Sequence, residues 1–315
     1  MSKKTTKNIE KAKDKIQREP IYLDLFVDEA FKQAFGTENQ SEVVIKGFLN
    51  ELMKGDPDFG QIKNITFRPN EKVRKRKGDK TIIYDIFCET ESHKRYIVEM
   101  QQESDRNFLN RARYYIARAI ADQGKVKKGD PIWCYEPLYP VVGVFLCDFH
   151  INGLNPKTIT RVGNMDLDDH VTIGHQTREY YIQFPEFIKE PEECKTRLDQ
   201  WLYLLKYMPT LEIIPFDIKG DAGLTQLEAI SRVSALNDEK KRRYESALRR
   251  KRDRLSQLAT ARWEGRQEGR EEGRQEGREE ATWKIAQTMK EKGANLATIA
   301  LYTGLSISEL EKGLK

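Results

Sequence analysis

The chain is 315 residues long, 33% of them charged, with a formal net charge of +5. That length supplies one large core or two moderate ones, and no apolar run reaches the ~18 residues of a transmembrane helix. The mild basic excess is compatible with a polyanionic partner, and a well-solvated surface gives the same balance.

Residues 1–19 are Lys-rich and lack the apolar stretch of a signal peptide, so a disordered basic arm on a cytoplasmic protein is expected. A globular segment follows over 20–223. In it, Val27, Ala30, Phe31, Ala34 and Phe35 recur at helical spacing and stop at Gly36. A second helix carries Val44, Ile45, Phe48, Leu49 and Leu52 on one face, with Ser41 as its expected N-cap and Gly55 as its stop. Three strand candidates come next, "QIKNITF", "TIIYDIFCE" and "KRYIVEMQ". The segment "RNFLNRARYYIARAIADQ" reads as an amphipathic helix, "PVVGVFLCDF" as a buried strand and "REYYIQF" as a later one. Helix, three strands, helix and strand in this order predict an α/β or α+β sandwich around a mixed sheet. The four cysteines (Cys88, Cys134, Cys147, Cys194) form no C-x-x-C pair, which predicts buried free thiols and no zinc site.

Two of the strands carry carboxylates. Asp85 interrupts one, and Glu99 and Gln101 share a face of the next, because alternate side chains of a strand point the same way. If the two strands pair through the short turn between them, Asp85 lies beside Glu99. Two carboxylates that close repel one another unless something neutralises them. A divalent cation such as Mg²⁺ does so, taking one or two carboxylates plus water and phosphate oxygens. The other reading of the same spacing is an exposed face of a half-buried sheet.

Asp85, thirteen intervening residues and then Glu99-Met100-Gln101 fit a D…(D/E)-x-K pattern in which Gln replaces Lys. With "DEAFKQAFG" before it, "VEMQ" within it, "RARYY" after it and "YPVVGVFL" beyond, the chain resembles the PD-(D/E)XK family transposases, also called the Rpn recombination-promoting nucleases. The Glu-Gly-Arg repeat and the closing "IAQTMKEKGANLATIALYTGLSISEL" share that resemblance, which spans nearly the whole chain. It implies a restriction-endonuclease-like α/β core and a Mg²⁺-dependent DNA endonuclease, with Mn²⁺ as a substitute ion. Asp85 and Glu99 would be metal ligands, Asp28 an auxiliary ligand and Gln101 a catalytic positioning residue. A lysine at that position would add positive charge; Gln only donates and accepts hydrogen bonds. The alternative function is a catalytically weak DNA-binding or regulatory protein that keeps the fold.

Arg111 and Tyr115, four apart on one helix face, match the family's R-x-x-x-Y element and are read either as backbone contacts to nucleic acid or as a structural pair. Lys72, Arg74, Lys75, Arg76 and Lys77 lie between the first two strand candidates. They either track phosphates without reading sequence or protect a sheet edge.

Residues 224–282 form a charged helical segment containing the four-residue repeat "EGRQEGREEGRQEGREE". On a helix this stacks glycines, arginines and glutamates into separate ridges. It is expected either as a homo-oligomerisation element or as a spacer. Residues 283–315 read as a small helical module whose two last helices resemble a helix-turn-helix, with packing or protein contact favoured over base readout because no Arg is present in the second helix.

Overall fold

The computed structural model describes residues 20–36, 40–56, 58–69, 71–72, 82–103, 106–124 and 138–314. The arm 1–19, Cys134, and Arg74, Lys75, Arg76 and Lys77 lie outside them, and Lys72 is described in its backbone only.

Helix α1 spans Asp28–Phe35, with Asp28 and Glu29 complementing the positive end of its dipole and Ala30, Phe31, Ala34 and Phe35 buried. Helix α2 spans Ser41–Leu52. Ser41 is not its cap. Gln40 takes that position without a side-chain bond, and the Ser41 hydroxyl is drawn into the core instead, where it has no hydrogen-bond partner.

Strands β1 (Ile65–Phe67), β2 (Glu71–Lys72), β3 (Ile82–Ile83), β4 (Ile86–Thr90) and β5 (Arg95–Gln101) follow. After helix α3 (Phe108–Ala121) come β6 (Val141–Cys147), β7 (Ile159–Gly163) and β8 (Thr177–Gln183). Six of the strands form one mixed sheet in the order β1-β4-β5-β6-β8-β7, while β2 and β3 make a separate two-stranded ribbon. Strands β5, β6 and β8 run parallel at the centre, with β4 and β1 antiparallel on one flank and β7 on the other. The mixed α/β fold expected from the element order is present.

The two sheet faces bury different partners. Val98 and Met100 of β5, Val142 and Val144 of β6 and Tyr180 of β8 face a core shared with α1, α2, α4 (Arg197–Tyr207) and α5 (Ala222–Ile230). Ile97, Val141, Phe145 and Tyr181 face a second core under α3. Gly143 lets α3 come close on that side: a Cβ there would lie 2.8 Å from the Ile116 side chain and 2.6 Å from the Phe145 ring. By strand alternation, Glu99 and Gln101 share the face of Ile97 and so lie beneath α3.

The segment "TIIYDIFCE" is two strands, not one. Ile82–Ile83 pairs with β2, and the chain re-enters the main sheet only at Ile86. Asp85 occupies the break.

The molecule divides into two compact units, 1–248 and 249–315. The core of the first extends past Gly223 to Leu224, Leu227, Ile230, Tyr244 and Ala247. Helix α6 runs over Asp238–Glu291 and includes the whole Glu-Gly-Arg repeat, whose side chains are exposed. In the second unit, Trp283 and Ala286 of α6 pack with Ile299 of α7 (Leu296–Thr303) and Leu310 of α8 (Ile307–Gly313). Gly304, with φ +74°, turns the chain between the last two helices, and Ser306 caps α8 in a reciprocal box with Glu309.

Candidate active site

The break at Asp85 creates the site. Ile86 pairs with Val98, so the next residue back faces Glu99 across the strands. Side chains replace ladder bonds at this point. The Asp85 backbone N–H donates to Glu99 Oε1 at 3.1 Å, and Asp85 Oδ2 accepts from the Met100 backbone N–H at 3.0 Å. The short hairpin that brings the strands together turns at His93, which adopts the left-handed region with φ +60°.

Glu99 is 3% exposed. Burial, and then the neighbouring Asp85 charge, pushes its carboxyl well above the usual range. Burial likewise raises Asp85 to about 6, opposed by the Met100 N–H and by the charges of Lys32 and Arg111. The pair therefore sets a buried carboxyl beside a half-buried one, and the Asp85 charge opposes ionisation of Glu99. Its second oxygen row continues outward: Gln101 Nε2 donates to Glu99 Oε2 at 3.1 Å, and Arg111 Nη2 donates to Gln101 Oε1 at 2.5 Å. Arg111 reaches Gln101 because α3 runs back over the face that carries Glu99. Tyr115, one turn further along, takes a raised hydroxyl pKa from burial and from Glu99. The buried Tyr84 ring meets it edge to face at 5.6 Å.

Asp28 sits at the edge of this arrangement. Its carboxylate pairs with Lys32 at 2.8 Å, and both side chains are substantially exposed. Asp28 raises the Asp85 carboxyl and Lys32 lowers it, so α1 and the strand break share one electrostatic neighbourhood. Among the described residues, no group of three or more His, Cys, Asp or Glu is arranged to hold a metal ion. Two adjacent carboxylates nevertheless form a donor set that suits an ion taking one or two carboxylates and filling its other positions with water or phosphate.

Sequence reasoning brought Asp85, Glu99, Gln101, Arg111 and Asp28 to attention, and the structure gathers the first four in one hydrogen-bonded row. It missed the Gln101–Arg111 bond, whose only sequence signal was an arginine one helical turn before Tyr115. It also missed the Asp28–Lys32 pair as a unit, although the two are four residues apart on a helix.

No helix among the described residues is long and apolar enough to cross a membrane. Cys88, Cys147 and Cys194 are free and buried. Neither the curated proteins nor the solved structures contain a match to the chain. A family model does match, over residues 25–261, which takes in α1, the whole sheet, the dicarboxylate and the first part of α6. With well over half of the sequence covered and the mixed sheet in place, the chain belongs to the PD-(D/E)XK nuclease family transposases.

Proposed function

We propose that the protein is a metal-dependent DNA endonuclease that hydrolyses phosphodiester bonds in the context of mobile elements or recombination. The observation that carries this reading is the Asp85–Glu99 pair tied through Gln101 to Arg111. Asp85 and Glu99 would hold Mg²⁺ or Mn²⁺, with Asp28 in support; bound there, the ion would polarise a phosphodiester and acidify a water. The chain's own groups have separable tasks. Met100 and Asp85 backbone N–H groups orient the two carboxylates. Gln101 fixes the rotamer of Glu99 on one side and the Arg111 guanidinium on the other. Arg111 supplies the fixed positive charge that favours negative charge growing on a phosphate.

Supercoiled plasmid incubated with purified protein, with Mg²⁺ and with excess chelator, tests the reading. Nicking that requires Mg²⁺ and disappears in Asp85→Ala and Glu99→Ala is expected. Cutting by either variant at the wild-type rate would remove these residues from the site. DNA binding without any cutting would favour the catalytically weak binding protein, a reading that the absence of a lysine at position 101 keeps in view.

A further inference from the structure

A cleft of about 130 Å³ lies within the first unit, between α1 and the beginning of α6. That is room for a group far larger than a single water. Leu23, Ala30 and Leu236 make its wall apolar, while Lys32, Lys240 and Arg243 set three cations around it against one carboxylate, Glu29. The start of α6 is anchored there: Tyr244 is buried, and its hydroxyl oxygen accepts from the Asp24 backbone N–H at 2.9 Å.

Two of the cations have partners that are easily exchanged. Lys32 pairs with Asp28 and Arg243 with Glu239, both in exposed ion pairs, and such pairs contribute little in water. Among the described residues, no carboxylate pairs with the Lys240 ammonium. An apolar wall beneath a cationic rim suits a ligand with an anionic group attached to a weakly polar ring, which is the make-up of a nucleotide unit. Lys32 supplies the connection to the chemistry. Its ammonium lies 2.8 Å from Asp28, and the Asp85 carboxylate is among the charges acting on it.

We propose that this cleft seats a nucleotide flanking the scissile phosphate of the DNA strand, with Lys240 and Arg243 on its phosphate and Leu236, backed by the buried Leu23 and Ala30, against its sugar. The assignment rests on the nuclease reading above. It makes the first turns of α6 part of the substrate site, within a segment that reads from sequence only as a charged helix.

The test compares wild type with Lys240→Ala/Arg243→Ala and with the charge-preserving Lys240→Arg/Arg243→Lys. Binding of a short labelled oligonucleotide, single-stranded and duplex, is measured in excess chelator over a salt series. Cleavage of the same oligonucleotides is measured with Mg²⁺. Each phosphate that is no longer neutralised lowers the log–log salt slope by about 0.7 on a single strand and about 0.9 on a duplex. The alanine pair should therefore reduce the slope by roughly twice that, raise KM on the order of tenfold and keep kcat, and the charge-preserving pair should restore the slope. If wild type binds and cuts while the alanine pair keeps its slope and KM, the cleft assignment alone is wrong. If wild type neither binds nor cuts either oligonucleotide, the nuclease reading fails and the cleft assignment falls with it.

Discussion

The backbone N–H of Asp85 donates to the carboxylate of Glu99 at 3.1 Å, so one acid of the site orients the other through its main chain. Both carboxyls lie above their usual range because loss of water disfavours their charge, and the Asp85 charge raises Glu99 further. A carboxyl raised in the folded state favours folding when protonated, so its charge opposes folding fully above the folded pKa and not at all below the unfolded one. For Asp85 that window runs from about 6 down to 3.8. In metal-free protein, Asp85→Asn keeps the acceptor for Met100 and removes the charge. It should stabilise the fold at about pH 7.5 by up to about 3 kcal/mol, with the gain shrinking as pH falls below 6. Mg²⁺ should then raise the melting temperature of wild type and leave that of the variant unchanged. Thermal melts across pH, with and without Mg²⁺, check both parts; a variant gain that does not change with pH would detach it from the Asp85 charge.

Gln101 bridges Glu99 and Arg111. Gln101→Ala should reduce kcat by roughly tenfold to a hundredfold while metal affinity changes little, as expected for a positioning group. Gln101→Lys, which restores the general pattern, should not restore speed. Lysine offers no acceptor to Arg111 and sets a second cation against it. Faster cutting by Gln101→Lys would show that Arg111 does not supply the positive charge of the site.

The basic run Lys72, Arg74, Lys75, Arg76 and Lys77 follows β1, which borders β4 and hence the strand carrying Glu89 and Cys88. If the run tracks DNA, replacing all five by Gln should flatten the salt dependence of binding by about 0.9 for each duplex phosphate left without its cation, whatever the sequence. An unchanged slope would leave the run as protection for the β2–β3 ribbon.

Gly265, Gly269, Gly273 and Gly277 lie within α6 with open space where a Cβ would stand. Replacing all four by Ala should raise helicity, each change adding about 1 kcal/mol of propensity. If the glycine ridge also admits a second chain closely, the same change should shift a self-associated species towards monomer in sedimentation. A more helical protein with unaltered sedimentation would make the repeat a spacer.

Much of this architecture is legible in the sequence. The period-3.6 apolar rows of α1 and α2, the long apolar β6 and the alternation of β5 each follow from local pattern. The proximity of Asp85 to Glu99 followed from alternation plus a short turn. What local pattern could not supply was the interruption at Asp85. The run "TIIYDIFCE" is apolar and β-branched on both sides of Asp85, and it is the competing bonds of a side chain and a ribbon partner that divide it there. The Arg111–Gln101 bond depends on the path of a helix over a sheet. Ser41 is a good cap by type, yet core burial overrides that preference. The cleft joins Lys32 to Lys240 across most of the first unit, a separation at which periodicity carries no information.

The bonds at the strand break also bear on how such a protein would decay if selection for its activity were relaxed. Asp85 accepts from the Met100 amide and donates its own to Glu99, so each acid carries a structural bond that its amide, in Asp85→Asn or Glu99→Gln, would keep. Arg111 donates from α3 to Gln101 on the sheet, and its charge offsets both carboxylates. A descendant that lost the proposed activity should therefore exchange an acid for its amide, which keeps the bonds of the strand break without the desolvated charge, more readily than for alanine.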